Sequence, residues 1–236
     1  MHTTQQTGCK QAAFNWYQLL KQQQFIDNGY TQCPFDSCLF YKRKGKQFLI
    51  AAAYIDDVFY ISNWPEELAH FESEFTRNFE VSEFNDVKWF LGWHIERDRK
   101  NGTCKISQQQ FILDALARFG LSEVHAKHQA CPTGYAFEEV EESDVLSAAE
   151  QKLYMEKVGT LNYLCCSSRG DICWVTSKLG MYMQRAGHSQ MAIADGVFAY
   201  LKGTADHGLH CCKADGLEPS CFSDASFALT TAETDA

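Results

Sequence analysis

Hydrophobic residues in the first third of the chain follow the two spacings that distinguish helices from strands. Apolar stretches at residues 38–41, 48–54 and 58–62 predict three β-strands, the first two joined by a basic turn. A helix is predicted before them, within residues 9–24. A second helix begins at Pro65, because a set of apolar residues behind it shares one helical face: Leu68, Phe71, Phe75 and Phe79.

The next segment repeats the order of strands followed by a helix. Residues 90–95 and 104–106 predict two strands joined by an Asn-Gly turn, a dipeptide that favours positive φ. An amphipathic helix follows over residues 107–120 and ends at a glycine. The acidic stretch 131–147 then breaks the hydrophobic pattern, so it is predicted to be a linker.

The last part of the chain is mainly helical in pattern. Ser147-x-x-Glu150 is a capping-box signature, and it predicts a helix behind it. Two further helices and two short strands are predicted over residues 171–183, 191–201, 208–212 and 221–224. Together these elements predict an α+β fold built on antiparallel strands.

Composition limits the kind of protein that this sequence can be. A chain of 236 residues with 45% hydrophobic content can bury a core in one or two domains. No apolar run approaches the roughly 20 residues of a membrane span, and the first residues lack the features of a signal peptide. We therefore expect an intracellular protein, cytoplasmic or nuclear, that is neither secreted nor inserted in a membrane.

The eleven cysteines indicate reduced thiols rather than disulfides or zinc. Their number is odd and no CxxC pair occurs. Cys165-Cys166 and Cys211-Cys212 lie in apolar surroundings, where free cysteine packs like a small hydrophobic residue.

Charge argues against a free-standing nucleic-acid binder, because the net charge is -9. One basic turn, formed by Lys42, Arg43, Lys44 and Lys46, softens that conclusion. Such a turn is usually a solvated loop. Because it precedes the strand that leads to an acidic pair, we predict that these residues contact phosphate.

That acidic pair is Asp56 and Asp57, which stand between two apolar stretches. Neighbouring carboxylates repel each other unless a cation neutralises them, and Mg²⁺ prefers carboxylate oxygen. The pair could therefore bind metal ions for phosphoryl transfer. It could equally be a polar β-turn, and taken alone the dipeptide favours the turn.

Several segments match, in one order, the motifs of a known family. Gly8 to Tyr17 is similar to a G-L-K-Q-A-P-R-x-W-Y motif, and Tyr54-Ile55-Asp56-Asp57 is similar to Y-V-D-D. Four more segments fit D-x-C-L-F, F-L-G-x-x-I, Y-x-x-x-V-G-x-L-x-Y-L and Y-L-K-G-T: Asp36 to Phe40, Phe90 to Ile95, Tyr154 to Leu164 and Tyr200 to Thr204. Ser168 to Ile172 fits x-R-P-D-I except at Gly170. The chain thus resembles the reverse transcriptase region of copia-type LTR retrotransposon polyproteins.

The resemblance implies roles for individual residues. Asp56 and Asp57 would be catalytic and would bind Mg²⁺ or Mn²⁺, and Gln11 would contact the incoming nucleotide. Phe90, Leu91 and Gly92 would grip the primer. The implied partners are an RNA or DNA primer-template, a dNTP and the remainder of a polyprotein.

The resemblance also implies an organisation. A polymerase palm-like antiparallel sheet with packed helices would occupy residues 1–106, and a helical thumb 107–130. The acidic linker 131–147 would lead into a connection-like helical region, 148–212, and the start of an RNase H domain, 213–236.

The resemblance is incomplete at both ends. The family's other catalytic Asp lies upstream of the segment that begins at Gly8, and Asp224 would be a lone RNase H carboxylate. Ala13 and Phe14 replace the family's usual Pro and Arg. We expect a partial RNA-directed DNA polymerase with little activity alone. The alternatives are a non-catalytic nucleic-acid or protein-binding remnant, and a decayed reading frame.

Overall fold

The computed structural model describes residues 12–55, 57–81, 84 and 86–213. The chain divides into two compact units, Met1–Val87 and Lys88–Ala236. Both contain an antiparallel sheet and helices, so the predicted α+β class with antiparallel sheets is confirmed.

The first unit is a four-stranded antiparallel sheet with helices on one face. Its sheet has the order β1-β2-β3-β4, formed by Thr31–Gln32, Leu39–Lys44, Gln47–Tyr54 and Asp57–Ser62. Its helices are α1, Ala12–Leu20, which continues as a π-helix over Lys21–Ile26, and α2, Pro65–Asn78. Pro65 begins α2, as predicted. The N–H groups of the first helical turn have no acceptor within the helix, so proline, which has no N–H, loses no hydrogen bond there.

Aromatic rings fill the space between this sheet and its helices. Phe25 stacks on Phe40 with ring centroids 4.0 Å apart, and Phe71 of α2 lies against Tyr60 of β4. Alternate residues of β3, Leu49, Ala51 and Ala53, are buried on the same side. The opposite face of the sheet carries the residues in between.

The second unit combines a four-stranded antiparallel sheet with a helical core. Strands β5 to β8 are Trp89–Phe90, Trp93–Asp98, Thr103–Ser107 and Gly208–Cys212, paired in that order. Helices α3 to α6 are Gln109–Arg118, Ala148–Cys165, Cys173–Gly180 and His188–Gly203. Short 3₁₀ turns occupy Glu142–Asp144 and Gly170–Ile172.

The buried Arg169 side chain joins two of the motif segments in the second unit. The Arg169 guanidinium is 1% exposed and donates to both carboxylate oxygens of Asp171, at 3.0 and 2.8 Å. It also donates to the backbone and side-chain oxygens of Thr204, at the end of α6. Arg169 therefore fixes the end of α6 just before the chain turns into β8.

Most elements predicted from the sequence are present. The capping box is confirmed, since Ser147 N donates to Glu150 Oε2 at 2.9 Å and Glu150 N to Ser147 Oγ at 3.4 Å. The Asn-Gly turn is confirmed too, with Gly102 at φ +66°. The single strand predicted over residues 90–95 is wrong. It is a tight hairpin, β5-β6, whose turn is Leu91-Gly92.

The predicted palm, thumb, linker and connection segments stay predictions, because the division into two units with a boundary after Val87 describes the chain more coarsely. β8 pairs along its length with β7, although about 100 residues separate them, so residues 103–107 and 208–212 form one sheet. Within the stretch 131–147, Leu146 is buried, and Tyr135 and Phe137 pack on the helical core.

The strand predicted over residues 221–224 lies outside the described residues. Among the helices that the structure describes, none combines the length and the apolar character that crossing a membrane requires.

Candidate functional site

The candidate catalytic pair lies at the end of the β3-β4 hairpin. Asp57 pairs with Tyr54, so only two residues connect the strands. Asp57 is exposed, and strand alternation places it on the same face as Phe59 and Ile61. The other face of β4, with Val58 and Tyr60, packs into the helix-covered core. Asp57 therefore projects from the face opposite the described helices of this unit, α1 and α2. Asp56 lies outside the described residues.

The first residue of this hairpin loop has an unusual backbone. Ile55 has a φ of +50°, in the left-handed region that β-branched residues rarely adopt. The Ile55 side chain is 64% exposed, so its burial does not compensate for the strained backbone. Strain of this kind persists only where the surroundings hold the backbone in place.

An indole from α1 provides that support. Trp16 Nε1 donates a hydrogen bond to the carbonyl oxygen of Ile55 at 2.9 Å, across 39 positions of sequence. The Trp16 ring is itself held by an edge contact with Phe79, at 5.2 Å between centroids. The turn that carries the acidic pair is thus tied to the helical side of the unit.

The next residue of the same motif supports a neighbouring loop. Tyr17 Oη donates to the carbonyl oxygen of Ser37 at 2.5 Å, and Gln32 Nε2 donates to Tyr17 Oη at 2.8 Å. Gln32 Nε2 also donates to the Ser37 carbonyl, at 2.6 Å. Trp16 and Tyr17 therefore hold two loops of the first sheet, the acidic turn at Ile55 and the β1-β2 loop at Ser37.

The segment predicted to grip the primer forms a second strained turn. Leu91 has a φ of +49° and Gly92 a φ of +79°. Positive φ at both central residues is what a two-residue type I′ hairpin requires. Leu91 and Ile55 are the two non-glycine residues with positive φ in the described part of the chain. Both belong to turns selected from the sequence as functional.

The basic turn lies far from the acidic pair. It joins β2 to β3 at one end of β3, whereas Asp57 lies beyond the other end, eight strand residues away. At about 3.4 Å per residue this separation is roughly 25 Å. Closeness in sequence is therefore not closeness in space, and a single phosphate group cannot touch both.

The four basic side chains of this turn differ in their surroundings. Lys42 Nζ is 2.8 Å from Glu67 Oε1 and 3.0 Å from the carbonyl oxygen of Asn28, on the helix-covered face. Arg43 Nε donates to the carbonyl oxygen of Gly45 at 2.8 Å, and Lys44 lies 5.9 Å from the Trp64 ring. Arg43 and Lys46 line a shallow depression of about 430 Å³ on the open face. Phosphate contact by these residues stays a prediction.

Carboxylate oxygen at Asp57 is the correct donor type for Mg²⁺. Within the described residues, however, no group of three His, Cys, Asp or Glu side chains could hold a metal ion together. Gln11 and Asp224, predicted to contact a nucleotide and to remain from an RNase H site, lie outside the described residues. Of the acidic pair, the structure thus describes one exposed carboxylate, that of Asp57, and the sequence places Asp56 next to it.

Comparison with known families identifies the source of these motifs. The family profile described as Reverse transcriptase (RNA-dependent DNA polymerase) matches residues 4–133, which is more than half of the 236 residues. The chain belongs to this reverse transcriptase family. The match includes both strained turns and the complete first unit from α1 onward.

Relatives refine the family assignment. The Retrovirus-related Pol polyproteins from transposons RE2 and RE1 of Arabidopsis thaliana are 29% and 28% identical over 221 residues, which is 94% of this chain. The corresponding polyprotein from transposon TNT 1-94 of Nicotiana tabacum is 25% identical over 210 residues, or 84% of the chain. The copia-type reverse transcriptase resemblance predicted from the motifs is confirmed.

The chain spans about 15% of the length of these polyproteins. No solved structure matches it.

Sequence reasoning did not assign the residues that support the two reverse transcriptase motif turns. Trp16 supports the Ile55 turn, and Tyr163 Oη donates to the carbonyl oxygen of Leu91 at 2.8 Å. Both aromatic residues stand inside motif segments of the family. Sequence position alone could not show which distant backbone oxygen each one reaches.

Proposed function

We propose that this chain is the part of a copia-type reverse transcriptase that carries its acidic metal-binding turn and its primer-contacting turn. The proposal rests on one observation: the two turns with a strained backbone are the two turns that match functional motifs of the family. The described part of the chain holds two non-glycine residues with positive φ, and they are Ile55 and Leu91. Strained backbone concentrates at functional sites, where the surroundings hold a required geometry.

The open face of the first sheet fits a nucleic-acid partner. Asp57 lies on that face with a set of partly exposed aromatic and aliphatic side chains: Tyr41, Tyr54 and Ile61. Aromatic rings can stack on bases, and Arg43 adds a positive charge to the same face. We infer that primer and template lie on this face, opposite the described helices α1 and α2.

Asp56 and Asp57 would hold Mg²⁺ or Mn²⁺, which stabilises the charge that develops when a primer hydroxyl attacks a dNTP. Asp57 contributes one exposed carboxylate whose hairpin is held by Trp16. Two carboxylates balance the charge of two divalent ions poorly. We therefore expect weak primer extension by this chain alone.

Cation binding at the pair can be measured without catalysis. Mn²⁺ added to the full chain should broaden the amide NMR signals of residues 54–58, because a paramagnetic ion relaxes nearby nuclei. Asp57→Asn should reduce this broadening at a given Mn²⁺ concentration. Asp114→Asn, which removes an exposed charge from α3, is the matched control and should leave it unchanged. Broadening that is absent, or equal in all three proteins, would overturn the metal assignment.

Primer extension on a primed RNA template separates the two candidate functions. Mg²⁺-dependent extension that disappears in Asp57→Asn but persists in Asp114→Asn would establish a polymerase. Salt-dependent binding of the primer-template without extension would favour the non-catalytic binding remnant. The exposed Tyr41 and Tyr54 rings and the Arg43 guanidinium on the same sheet face support this second candidate, because they could contact nucleic acid without a metal ion.

A further inference from the structure

The Leu91-Gly92 turn depends on a side chain from another part of the second unit. Tyr163 lies on α4, 72 positions later in the sequence, and its hydroxyl donates to the carbonyl oxygen of Leu91 at 2.8 Å. A left-handed conformation is strained for a residue other than glycine, because Cβ approaches the following carbonyl oxygen. The hydrogen bond falls on the carbonyl of that strained residue, where it can hold the turn.

The Tyr163 ring is fixed by its own contact. Phe111 of α3 packs against it with ring centroids 4.8 Å apart, at an interplanar angle of 58°. The hydroxyl is therefore presented from two packed helices rather than from a loop. A donor on rigid elements defines the position of its acceptor more closely than a mobile one.

The same hydroxyl limits which residue can occupy position 92. The φ of +79° at Gly92 favours glycine, and a Cβ at this position would lie 3.3 Å from Tyr163 Oη. Any larger residue would press against the donor. Gly92 and Tyr163 therefore form one arrangement: the missing side chain lets the hydroxyl approach the turn.

The turn itself faces solvent. Leu91 is 37% exposed and Trp89, two residues earlier, is 58% exposed. An apolar turn that is held rigidly and left accessible can contact a partner without first becoming ordered, which lowers the entropic cost of binding.

We propose that Tyr163 is a positioning residue, which holds the Leu91-Gly92 turn in the conformation that contacts the primer strand. This inference rests on the proposed function, because the primer contact comes from the family resemblance. The positioning itself rests on the Tyr163 contacts. Tyr163 acts through the turn and need not touch the nucleic acid.

The test uses the full chain and two matched hydroxyl deletions. Tyr163→Phe keeps the ring against Phe111 and removes the donor. Tyr182→Phe is the control, because Tyr182 Oη donates to the carbonyl oxygen of Glu138 at 2.9 Å, also in the second unit but at another loop. Circular dichroism and urea unfolding establish that both variants fold.

The first measurement is amide hydrogen exchange over residues 89–95. Loss of one hydrogen bond should speed exchange there about five-fold in Tyr163→Phe. Tyr182→Phe should leave it unchanged. Adding Leu91→Asn to Tyr163→Phe should restore slow exchange, because asparagine tolerates the left-handed region. Equal exchange in wild type and Tyr163→Phe would overturn the positioning role.

The second measurement is binding of a duplex with a recessed 3′ end compared with a blunt duplex, by fluorescence anisotropy at low salt. Tyr163→Phe should reduce the preference for the recessed end about five-fold, whereas Tyr182→Phe should keep it. A general loss of stability would weaken both duplexes equally and would overturn the inference. Failure of the wild-type chain to prefer the recessed end would overturn the proposed primer contact, while the exchange data would still decide whether Tyr163 holds the turn.

Discussion

Strain at Ile55 can be measured by replacing the residue with glycine and comparing the result with the same change at Ile61. Both are partly exposed isoleucines in the β3-β4 hairpin, at 64% and 45% exposure. Ile55 has a φ of +50°, whereas Ile61 lies in the regular strand β4. The two substitutions therefore remove the same side chain from a strained and from an unstrained backbone.

The magnitudes follow from burial and backbone. Ile55→Gly loses about 0.5 to 1 kcal/mol of apolar burial, since roughly a third of the side chain is buried. It loses about 0.5 to 1 kcal/mol more through backbone entropy and regains about 1 to 2 kcal/mol of strain. Its net effect on the free energy of unfolding should be near zero. Ile61→Gly regains nothing and should cost about 2 kcal/mol.

Urea unfolding followed by circular dichroism measures both effects, provided that the m value stays constant. The midpoint of Ile55→Gly should lie close to that of wild type, and the midpoint of Ile61→Gly clearly below it. Equal destabilisation of the two variants would refute the reasoning, because it would mean that the Ile55 backbone stores no strain. Mn²⁺ binding, in contrast, should weaken more in Ile55→Gly, because a glycine loop no longer holds the acidic turn in one conformation.

Three further predictions concern the second unit. Arg169→Lys should lower the free energy of unfolding, measured with urea, by about 3 kcal/mol, because a lysine cannot donate to Asp171 and Thr204 at the same time. The control Arg185→Lys changes an exposed ion pair and should lower it by less than about 0.5 kcal/mol. Burial, with the nearby Cys173 thiol, raises the pKa of Cys165 to about 12. Iodoacetamide at pH 8 should therefore alkylate the exposed Cys166 at least about 100-fold faster, as peptide mass spectrometry would show. Burial also raises the pKa of Tyr154 above its ordinary value of 10.0, so the unfolded chain releases this proton at a lower pH than the folded chain does. The free energy of unfolding should therefore fall as the pH rises above 10. Tyr154→Phe should make that fall less steep, as urea unfolding at a series of pH values would show.

The hairpins and amphipathic helices could be predicted because their signals are local. A proline opens α2, and glycines with positive φ close the turns at Gly45 and Gly102. The Leu91-Gly92 hairpin could not be predicted in this way. Leucine is not a residue that favours positive φ, so residues 90–95 gave the apolar pattern of one strand. A distant hydrogen bond, which no local rule contains, holds the turn.

The packing of the segment 131–147 could not be predicted from its composition, for a related reason. Its acidic residues indicate solvent exposure, and Glu142 is indeed exposed. Its few apolar residues, however, determine where it lies: Leu146 is buried, and its N–H donates to the carbonyl oxygen of Ala186 at 3.0 Å. Arg169 could not be predicted as a core residue, because charged side chains are rarely buried unless paired and one of its partners, Thr204, lies 35 positions later in the chain.

Motif residues of the first unit divide into those that support the backbone and those that face solvent. Trp16 and Tyr17 point to backbone carbonyls and match the family motif, whereas Phe14, where the family tends to have arginine, is 62% exposed. The departure therefore costs the fold little and removes a positive charge from the surface.

Restoring that charge separates fold from binding. Phe14→Arg should leave the free energy of unfolding within about 0.5 kcal/mol of wild type, because the side chain is already exposed. If the position faces a phosphate, one added contact should steepen the dependence of log affinity on log salt by about 0.9 for duplex primer-template. Leu19→Arg is the matched control. Leu19 is 41% exposed on the same helix, and its replacement adds the same charge at another position. An equal change in slope for both variants would mean that net charge alone is responsible. A change confined to Phe14→Arg would show that this motif lost its phosphate contact while keeping the framework that positions it.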